Sequence, residues 1–482
     1  MLNVKAIIKI FGLLLIIEGI ALLLSLGVAV IYRGNDITPL LKSSLICLGT
    51  GGLTFLASRK AEMKLSKNDG FILMSLSWIL FSIFGSLPYL LSHTVPGITD
   101  AFFESMSGFT TTGSTVLTNP ESVSKGILFW RSLSQWIGGL GIITLTLIAL
   151  PLFGIGGLNL FSSEIPGSAP DRMNPKIQHN LLTFGTVYLL LTAIETVLLV
   201  LGGMSLFDAV NHSFTTISTG GFSTKHDSIA HWNVPLIQYV VIFFMILGGT
   251  NFTLVYCLVT GKFEKILKNE EFKYYLFFIV VFTAIIFSGL LLTTTHEFNQ
   301  AFRNALFQVV SVLTTTGFVT TDYLLWSPIL TLLLFILFFF GASKGSTGSS
   351  IKIVRIVLLL KNSYYQMRRL LHPNAVIPVR LNKRSVPEQL ITNVLSFFMI
   401  YFSIVIASAI VFAIFEPDFY SAIGAVSANL GNIGPGLGHY GPFSNYHDVP
   451  DAGKWFLSFL MLLGRLEIFT ILILFSPAFW RK

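Results

Sequence analysis

The sequence predicts an all-α polytopic membrane protein with ten transmembrane helices and four helix–pore-loop–helix repeats, arranged with pseudo-fourfold symmetry around one pore. Three observations carry this prediction. Hydrophobic residues make up 53% of the 482-residue chain and charged residues only 11%, which excludes an ordinary soluble protein. Apolar runs of spanning length recur along the whole chain. Short segments rich in threonine and glycine repeat between these runs.

The apolar runs are long enough to span because about 20 helical residues cross a hydrocarbon core of roughly 30 Å. The first run is longer than a secretory signal core and no small-residue cleavage pattern follows it, so we expect a retained helix. The eighth run is short and ends in a glycine- and serine-rich tract. The ten runs lie near residues 6–32, 39–58, 70–92, 126–151, 180–203, 235–260, 274–294, 327–341, 390–415 and 453–476.

Basic residues predict the orientation, because lysine and arginine concentrate in cytoplasmic loops. With the N-terminus inside, an even number of spans places both termini in the cytoplasm. The net charge of +8 is then explained by topology and by attraction to anionic membrane lipid, so no nucleic-acid partner is needed. The predicted inner basic residues are Arg59, Lys60, Lys64, Lys67, Arg172, Lys176, Lys262, Lys265, Lys268, Lys273, Lys352, Arg355, Lys361, Arg368, Arg369, Arg380, Lys383, Arg384, Arg481 and Lys482.

Four segments repeat at intervals of roughly a hundred residues, each between two spans. They are 101–113, 208–220, 305–317 and 422–434, which end without gaps on Gly113, Gly220, Gly317 and Gly434. A further glycine follows inside the next span, at Gly138, Gly248, Gly341 and Gly464. These repeats predict two N-terminal helices in residues 1–68 and pore repeats in 69–178, 179–272, 273–388 and 389–482.

Each repeated segment is expected to enter the membrane as a half-helix and then turn back. Irregular backbone at bilayer depth is tolerated only where it is buried in protein or lines a water-filled cavity. The C-terminal end of a half-helix favours a cation, and glycine permits the backbone angles that aim carbonyl oxygens at an axis. The predicted filter residues are Thr111, Thr112, Gly113, Ser218, Thr219, Gly220, Thr315, Thr316, Gly317, Asn432, Ile433 and Gly434.

The tract "GASKGSTGSS", residues 341–350, interrupts the eighth span with residues that do not sustain a helix. We expect a loop in mid-membrane, with Lys344 facing a hydrated cavity or backbone carbonyls. A glycine-rich helix contact is the alternative. Arg465 is a charge within the last span. It either lines the pore or forms a structural ion pair, for example with Glu467 or Glu195.

The fourfold pattern, together with "STGGFST", "TTTGFVTTD", "NIGPGLG" and "LLGRLEIFTILI", resembles the Trk/Ktr/HKT superfamily of potassium uptake proteins, most closely its bacterial TrkH/TrkG branch. The resemblance covers nearly the whole chain. It implies a K⁺-conducting pore in the bacterial cytoplasmic membrane, a homodimer, and a cytosolic TrkA-like regulatory ring that binds NAD or ATP/ADP. No organic cofactor is implied for this chain.

The resemblance also assigns a gate. The implied gating residues are Gly341, Ala342, Ser343, Lys344, Gly345, Ser346, Thr347 and Gly348, together with Arg465. The four filter glycines resemble the potassium-preferring pattern, from which the fourth repeat departs at Asn432 and Ile433. The basic segment 352–384 is expected to dock the soluble regulator or, equally, lipid headgroups.

The main rival function is a secondary transporter coupled to protons or sodium, since such proteins also contain broken helices and repeats. Proton relays through Glu195 or Glu467 are compatible with the sequence, whereas Glu18 and Glu195 are otherwise expected to be helix-interface residues. An enzyme is not expected. The 341–350 tract does not fit a phosphate-binding loop, and a Ser343/Ser346–Lys344 hydrolase lacks an evident oxyanion site. Cys47 and Cys257 are expected to be inert, and His212 to brace the second half-helix.

Overall fold

The computed structural model describes residues 2–62, 65–152, 177–293, 297–375 and 377–481. Within them, six helices are individually long and apolar enough to cross a membrane, and two bent helix pairs raise that number to eight. The chain is thus a helical, multi-pass membrane protein, and the count of ten spans remains a prediction. The six lie in helices Val4–Ile31, Ile37–Ala57, Lys67–Gly85 (continued by Leu87–Leu91), Ile177–Leu201, Glu270–Thr293 and Glu388–Phe412, and Lys125–Leu152 is a further long helix.

Two spans predicted to be continuous are broken. The sixth consists of Pro235–Gly248 and Phe252–Val259, bent by 117°, and the tenth of Asp451–Arg465 and Phe469–Phe475, bent by 108°. Tertiary contacts explain these breaks. The carbonyl of Gly249 accepts a hydrogen bond from the Ser343 N–H at 2.9 Å, and the Glu467 carboxylate pairs with Arg355 at 2.6 Å.

The eighth span is interrupted, as the sequence predicts. Helix Pro328–Leu337 ends before the 341–350 tract, and helix Ile353–Leu371 begins after it. A short antiparallel hairpin, Arg380–Leu381 with Arg384–Ser385, follows. Two further short helices are Phe263–Lys268 and Pro477–Trp480.

Four shorter helices, the pore helices, occupy the predicted half-helix positions. Each is followed by an extended segment and then by a short 3₁₀ turn, so the fourfold repeat extends beyond the matching sequence. The pore helices are Ile98–Phe109, Leu206–Ile217, Phe298–Leu313 and Phe419–Gly431. The 3₁₀ turns are Pro120–Ser122, Ser228–His231, Tyr323–Leu325 and Gly438–Tyr440, and a fifth, Ile473–Phe475, lies in the bent last span.

Two acidic residues, Asp100 and Glu104, lie on the first pore helix as buried ion-pair partners. Asp100 pairs with Lys454 at 2.6 Å, and Glu104 pairs with Arg131 at 2.6 Å. The pairs join the first pore helix to helices Asp451–Arg465 and Lys125–Leu152, so their role is structural. The predicted inner loop with Arg172 and Lys176 lies outside the described residues, as do Lys64 and Lys482.

Candidate ion pathway

Every pore helix ends in the same way. A residue with left-handed backbone follows it, and the next N–H donates to a carbonyl five residues earlier, which caps the helix. The left-handed residues are Thr111, Thr219, Thr315 and Asn432, with φ of 52°, 54°, 58° and 53°. The capping bonds are Thr112 to Ser107 (2.9 Å), Gly220 to Thr215 (2.8 Å), Thr316 to Ser311 (2.9 Å) and Ile433 to Ala428 (2.9 Å).

This pattern corrects the register of the second repeat by one residue. The glycine with positive φ there is Gly221, at 76°, whereas Gly113, Gly317 and Gly434 have φ of 88°, 78° and 98°. Thr219, Gly220 and Gly221 are therefore the structural equivalents of Thr111, Thr112 and Gly113, and Ser218 precedes them. The gapless alignment missed this because two glycines are adjacent. If the segments are aligned on their first alanines, so that Ala209 matches Ala101, Gly221 matches Gly113.

The four corrected segments form a closed ring. A Cβ added to the glycine of one repeat would lie less than 3.0 Å from the carbonyl oxygen of the residue before the glycine in a neighbouring repeat. The contacts run from Gly113 to Gly220, from Gly221 to Thr316, from Gly317 to Ile433, and from Gly434 to Thr112. Both the positive φ and this close approach require glycine. Four backbone carbonyls are thus brought together at one level.

The fourth repeat departs from the others in sequence but keeps the geometry. Asparagine is one of the few residues that visits the left-handed region readily, which suits Asn432. Its amide donates to the Thr112 hydroxyl at 2.8 Å and to the Met461 carbonyl at 2.9 Å. Asn432 therefore joins the fourth repeat to the first.

The 341–350 tract lies against the inner ends of two pore helices. The Thr347 hydroxyl contacts the carbonyls of Ile217 and Gly248 at 3.0 and 3.1 Å, and the Thr219 hydroxyl at 3.2 Å. The Ser349 N–H donates to the Thr315 hydroxyl at 2.9 Å. The tract therefore touches the residues that cap the second and third pore helices, directly below the ring.

Arg465 contacts this tract from the fourth repeat. Its guanidinium is 1% exposed and donates to the Thr347 carbonyl at 2.6 Å, to the Ser349 hydroxyl at 3.1 Å and to the Gly138 carbonyl at 3.1 Å. No described ion pair includes it, so the pairing with Glu467 or Glu195 is not observed. Glu467 instead pairs with Arg355.

Several further polar groups of the tract bind residues outside it, two of them in the second repeat. The Lys344 N–H donates to Glu271 at 2.6 Å, and the Gly345 carbonyl accepts from the Phe252 N–H at 3.1 Å. The Lys352 ammonium donates to the Gly348 carbonyl. Because its backbone groups are satisfied across repeats, this irregular segment is stable inside the protein without lipid contact.

Side chains behind the second filter segment fix its position. The Gln135 amide donates to the Gly220 carbonyl at 2.7 Å and accepts from the Phe222 N–H at 3.1 Å. His212 bonds the Asp208 carbonyl at 2.8 Å and the Ser223 hydroxyl at 3.0 Å, which confirms its predicted bracing role. No sequence motif marks Gln135, which lies 85 residues before Gly220 in the loop that it holds.

An open cavity lies beyond the ring, on the side opposite the 341–350 tract. Its lining includes the four positive-φ glycines Gly113, Gly221, Gly317 and Gly434. The order along one path is therefore cavity, carbonyl ring and tract. Such an arrangement can dehydrate and pass a cation through the ring while the tract obstructs the other end.

Comparisons with known proteins agree with this architecture. The family model described as "TrkH: Cation transport protein" matches residues 39–482. The chain is 38% identical to the Trk system potassium uptake protein TrkH of Escherichia coli K12, with 100% of both chains covered. It is 32% identical to TrkG of the same organism, over 100% of this chain and 99% of that one.

The crystal structure of the potassium transporter TrkH from Vibrio parahaemolyticus superposes with a TM-score of 0.91 at 36% identity. It covers 99% of this chain and 100% of that one. These matches confirm the resemblance that the repeated motifs indicate. This chain belongs to the TrkH family of cation transport proteins.

Proposed function

We propose that this chain is a gated, potassium-selective pore for K⁺ uptake across the bacterial cytoplasmic membrane. The closed ring of four carbonyls and four glycines is the observation that carries the proposal. Carbonyl oxygens replace the hydration shell of a monovalent cation, and four pore helices end at the ring with the partial negative charge of their C-termini. Relatives of full-length similarity are named potassium uptake proteins, which supports K⁺ as the transported ion.

The filter in this proposal consists of the three-residue segments that end on Gly113, Gly221, Gly317 and Gly434. The gate consists of the 341–350 tract and Arg465. A cation leaving the ring would meet Thr347 and Ser349, whose hydroxyls are engaged with pore-helix ends and with Arg465. The buried guanidinium adds a positive charge next to the path, which disfavours a cation there. The closed state therefore combines a steric and an electrostatic barrier.

Regulation and assembly extend the same proposal. Both termini lie in the cytoplasm, the chain forms a homodimer, and a TrkA-like nucleotide-binding ring acts on the cytoplasmic face. The helix Ile353–Leu371 and the hairpin at 380–385 continue directly from the 341–350 tract. A partner that pulls on this basic segment would therefore act on the tract through the chain itself. The basic residues also suit anionic lipid headgroups.

The testing experiment is cation flux into proteoliposomes that contain the purified protein alone, with potassium, rubidium, sodium and lithium compared and the proton gradient clamped. Potassium and rubidium passing well ahead of sodium is the expected result. Flux that requires a proton or sodium gradient would establish the coupled transporter instead. Equal passage of sodium and potassium would contradict the assignment of the four-glycine filter.

A further inference from the structure

The cavity outside the carbonyl ring has an unexpected charge for a cation entrance. Cation pathways commonly carry acidic residues at their mouths, because negative charge raises the local cation concentration. The described lining of this cavity includes Arg131, Lys225 and His226 but no aspartate or glutamate. A cation approaching the ring therefore meets positive charge.

The three basic groups are not equivalent. Arg131 is 3% exposed and is neutralised by Glu104 at 2.6 Å. His226 is exposed to solvent. Lys225 is half-buried, and no described ion pair or side-chain hydrogen bond includes its ammonium. Lys225 is thus the basic residue of the cavity whose charged group has no described ion pair or hydrogen bond.

One carboxylate acts on Lys225 from the same repeat. Asp208, near the start of the second pore helix, interacts with it electrostatically. Both carboxylate oxygens of Asp208 are, however, engaged by hydroxyls, one by Thr224 and the other by Ser205, each at 2.7 Å. Asp208 therefore weakens the field of the ammonium without binding it, and Lys225 still lines the cavity.

The backbone that bears Lys225 is held in place. Its N–H donates to the Ser223 hydroxyl at 3.0 Å, and its carbonyl accepts from the Ser228 N–H at 3.2 Å. Two residues later, the Ala230 N–H donates to the Val319 carbonyl of the third repeat at 3.1 Å. A fixed backbone four residues after Gly221, combined with a flexible four-carbon stem, confines the ammonium to the entrance.

We propose that the Lys225 ammonium is a fixed positive charge at the outer mouth of the pore. It lowers the local K⁺ concentration and thereby sets a low apparent affinity for external K⁺. This inference rests on the proposed function, since it requires the cavity to be the entrance. A unit charge about 6 Å away in water changes the local concentration of a monovalent cation about threefold. Screening shortens its range from roughly 30 Å at 0.01 M salt to about 3 Å at 1 M.

The test compares Lys225→Met, which keeps the length without the charge, with Lys225→Arg, which keeps the charge. Lys262→Met, an exposed position on the predicted inner side, is the matched control. Potassium uptake is measured in cells that lack other potassium uptake systems, at low and high ionic strength. We expect Lys225→Met to lower the half-saturating K⁺ concentration about threefold at low ionic strength and little at high. Lys225→Arg and Lys262→Met should match the parent.

A second measurement uses one protein before and after chemical modification. Lys225→Cys is treated with membrane-impermeant thiol reagents, because Cys47 and Cys257 are buried at 0% and 1% exposure. A positive reagent should restore the parental half-saturation value, and a negative reagent should lower it below that of Lys225→Met. Equal effects of the two reagents, or changes that are independent of ionic strength, would overturn the inference.

The measurements distinguish an error in the role of Lys225 from an error in the assignment of the K⁺ filter. If the parent prefers K⁺ over Na⁺ and Lys225→Met is indistinguishable from Lys225→Arg, only the role of Lys225 is wrong. If the parent shows no preference for K⁺, the filter assignment is wrong, and this inference is overturned with it.

Discussion

The guanidinium of Arg465 donates a hydrogen bond of 2.6 Å to the backbone carbonyl of Thr347, which lies 118 residues earlier in the chain. The carbonyl belongs to a loop of the third repeat, and the arginine belongs to the long helix of the fourth. This bond, with that to Ser349, holds the loop against the pore-helix ends.

Removing this contact should open the path. We expect Arg465→Ala to raise K⁺ flux in proteoliposomes more than tenfold, because even one lost charge-assisted bond weakens the proposed closed state by about 1.5–3 kcal/mol. The flux of Arg465→Lys should lie between that of the parent and that of Arg465→Ala, because an ammonium lacks the planar fork of donors of a guanidinium. The exposed Arg368→Ala is the control and should leave flux unchanged. A well-folded Arg465→Ala with lower flux would show that the arginine supports the structure instead.

The Thr347 hydroxyl offers a milder test of the same gate. Thr347→Val keeps the shape of the side chain but removes its contacts with the carbonyls of Ile217 and Gly248. At about 1 kcal/mol for a typical hydrogen bond, flux should rise about fivefold. Thr260→Val, at an exposed helix end, is the matched control. Unchanged flux in Thr347→Val would argue that the tract does not limit conduction.

Gly113→Ser should relax the discrimination against Na⁺. The backbone there has φ of 88°, and a Cβ would collide with the Gly220 carbonyl of the ring, so the ring must deform. Permeability ratios of K⁺ and Na⁺ are the measurement. Gly49→Ser is the control, because a Cβ at Gly49 meets no atom within 4 Å. Retention of the parental ratio in Gly113→Ser would remove this segment from the filter.

The corrected register of the second repeat predicts that Gly221 is more important for selectivity than Gly220. Gly221→Ala should impair K⁺ selectivity strongly, because it has φ of 76° and its Cβ would collide with the Thr316 carbonyl. Gly220→Ala should be tolerated better, since the atoms nearest to its Cβ belong to the Gln135 side chain, which can move, and not to backbone. Selectivity is compared for the two variants at equal expression. A more severe loss in Gly220→Ala would restore the gapless alignment.

The Glu104–Arg131 pair should contribute to folding stability. Arg131→Met leaves a carboxylate buried without its partner, which destabilises a protein by about 3 kcal/mol or more. We expect a marked fall of the melting temperature in detergent, partly recovered by adding Glu104→Gln. Lys268→Met, which removes an exposed pair with Glu264, should leave the melting temperature unchanged. Equal melting temperatures for Arg131→Met and the parent would contradict this role.

The sequence by itself determined the class of the protein and the identity of its repeats. Apolar runs and four glycine-terminated segments reflect local requirements: residues that face lipid must be apolar, and positive φ requires glycine at Gly113, Gly317 and Gly434. The interruption at 341–350 was predictable for the same reason, because small residues do not sustain a helix.

Only the tertiary structure decided what each segment contacts. The breaks after Gly248 and Arg465 carry no proline. The first break exists because the Gly249 carbonyl binds the 341–350 tract. The second exists because the Glu467 carboxylate binds Arg355. The choice of Gly221 over Gly220 depends on the Thr316 carbonyl of another repeat. Such contacts join residues tens to hundreds of positions apart, and no local pattern encodes them.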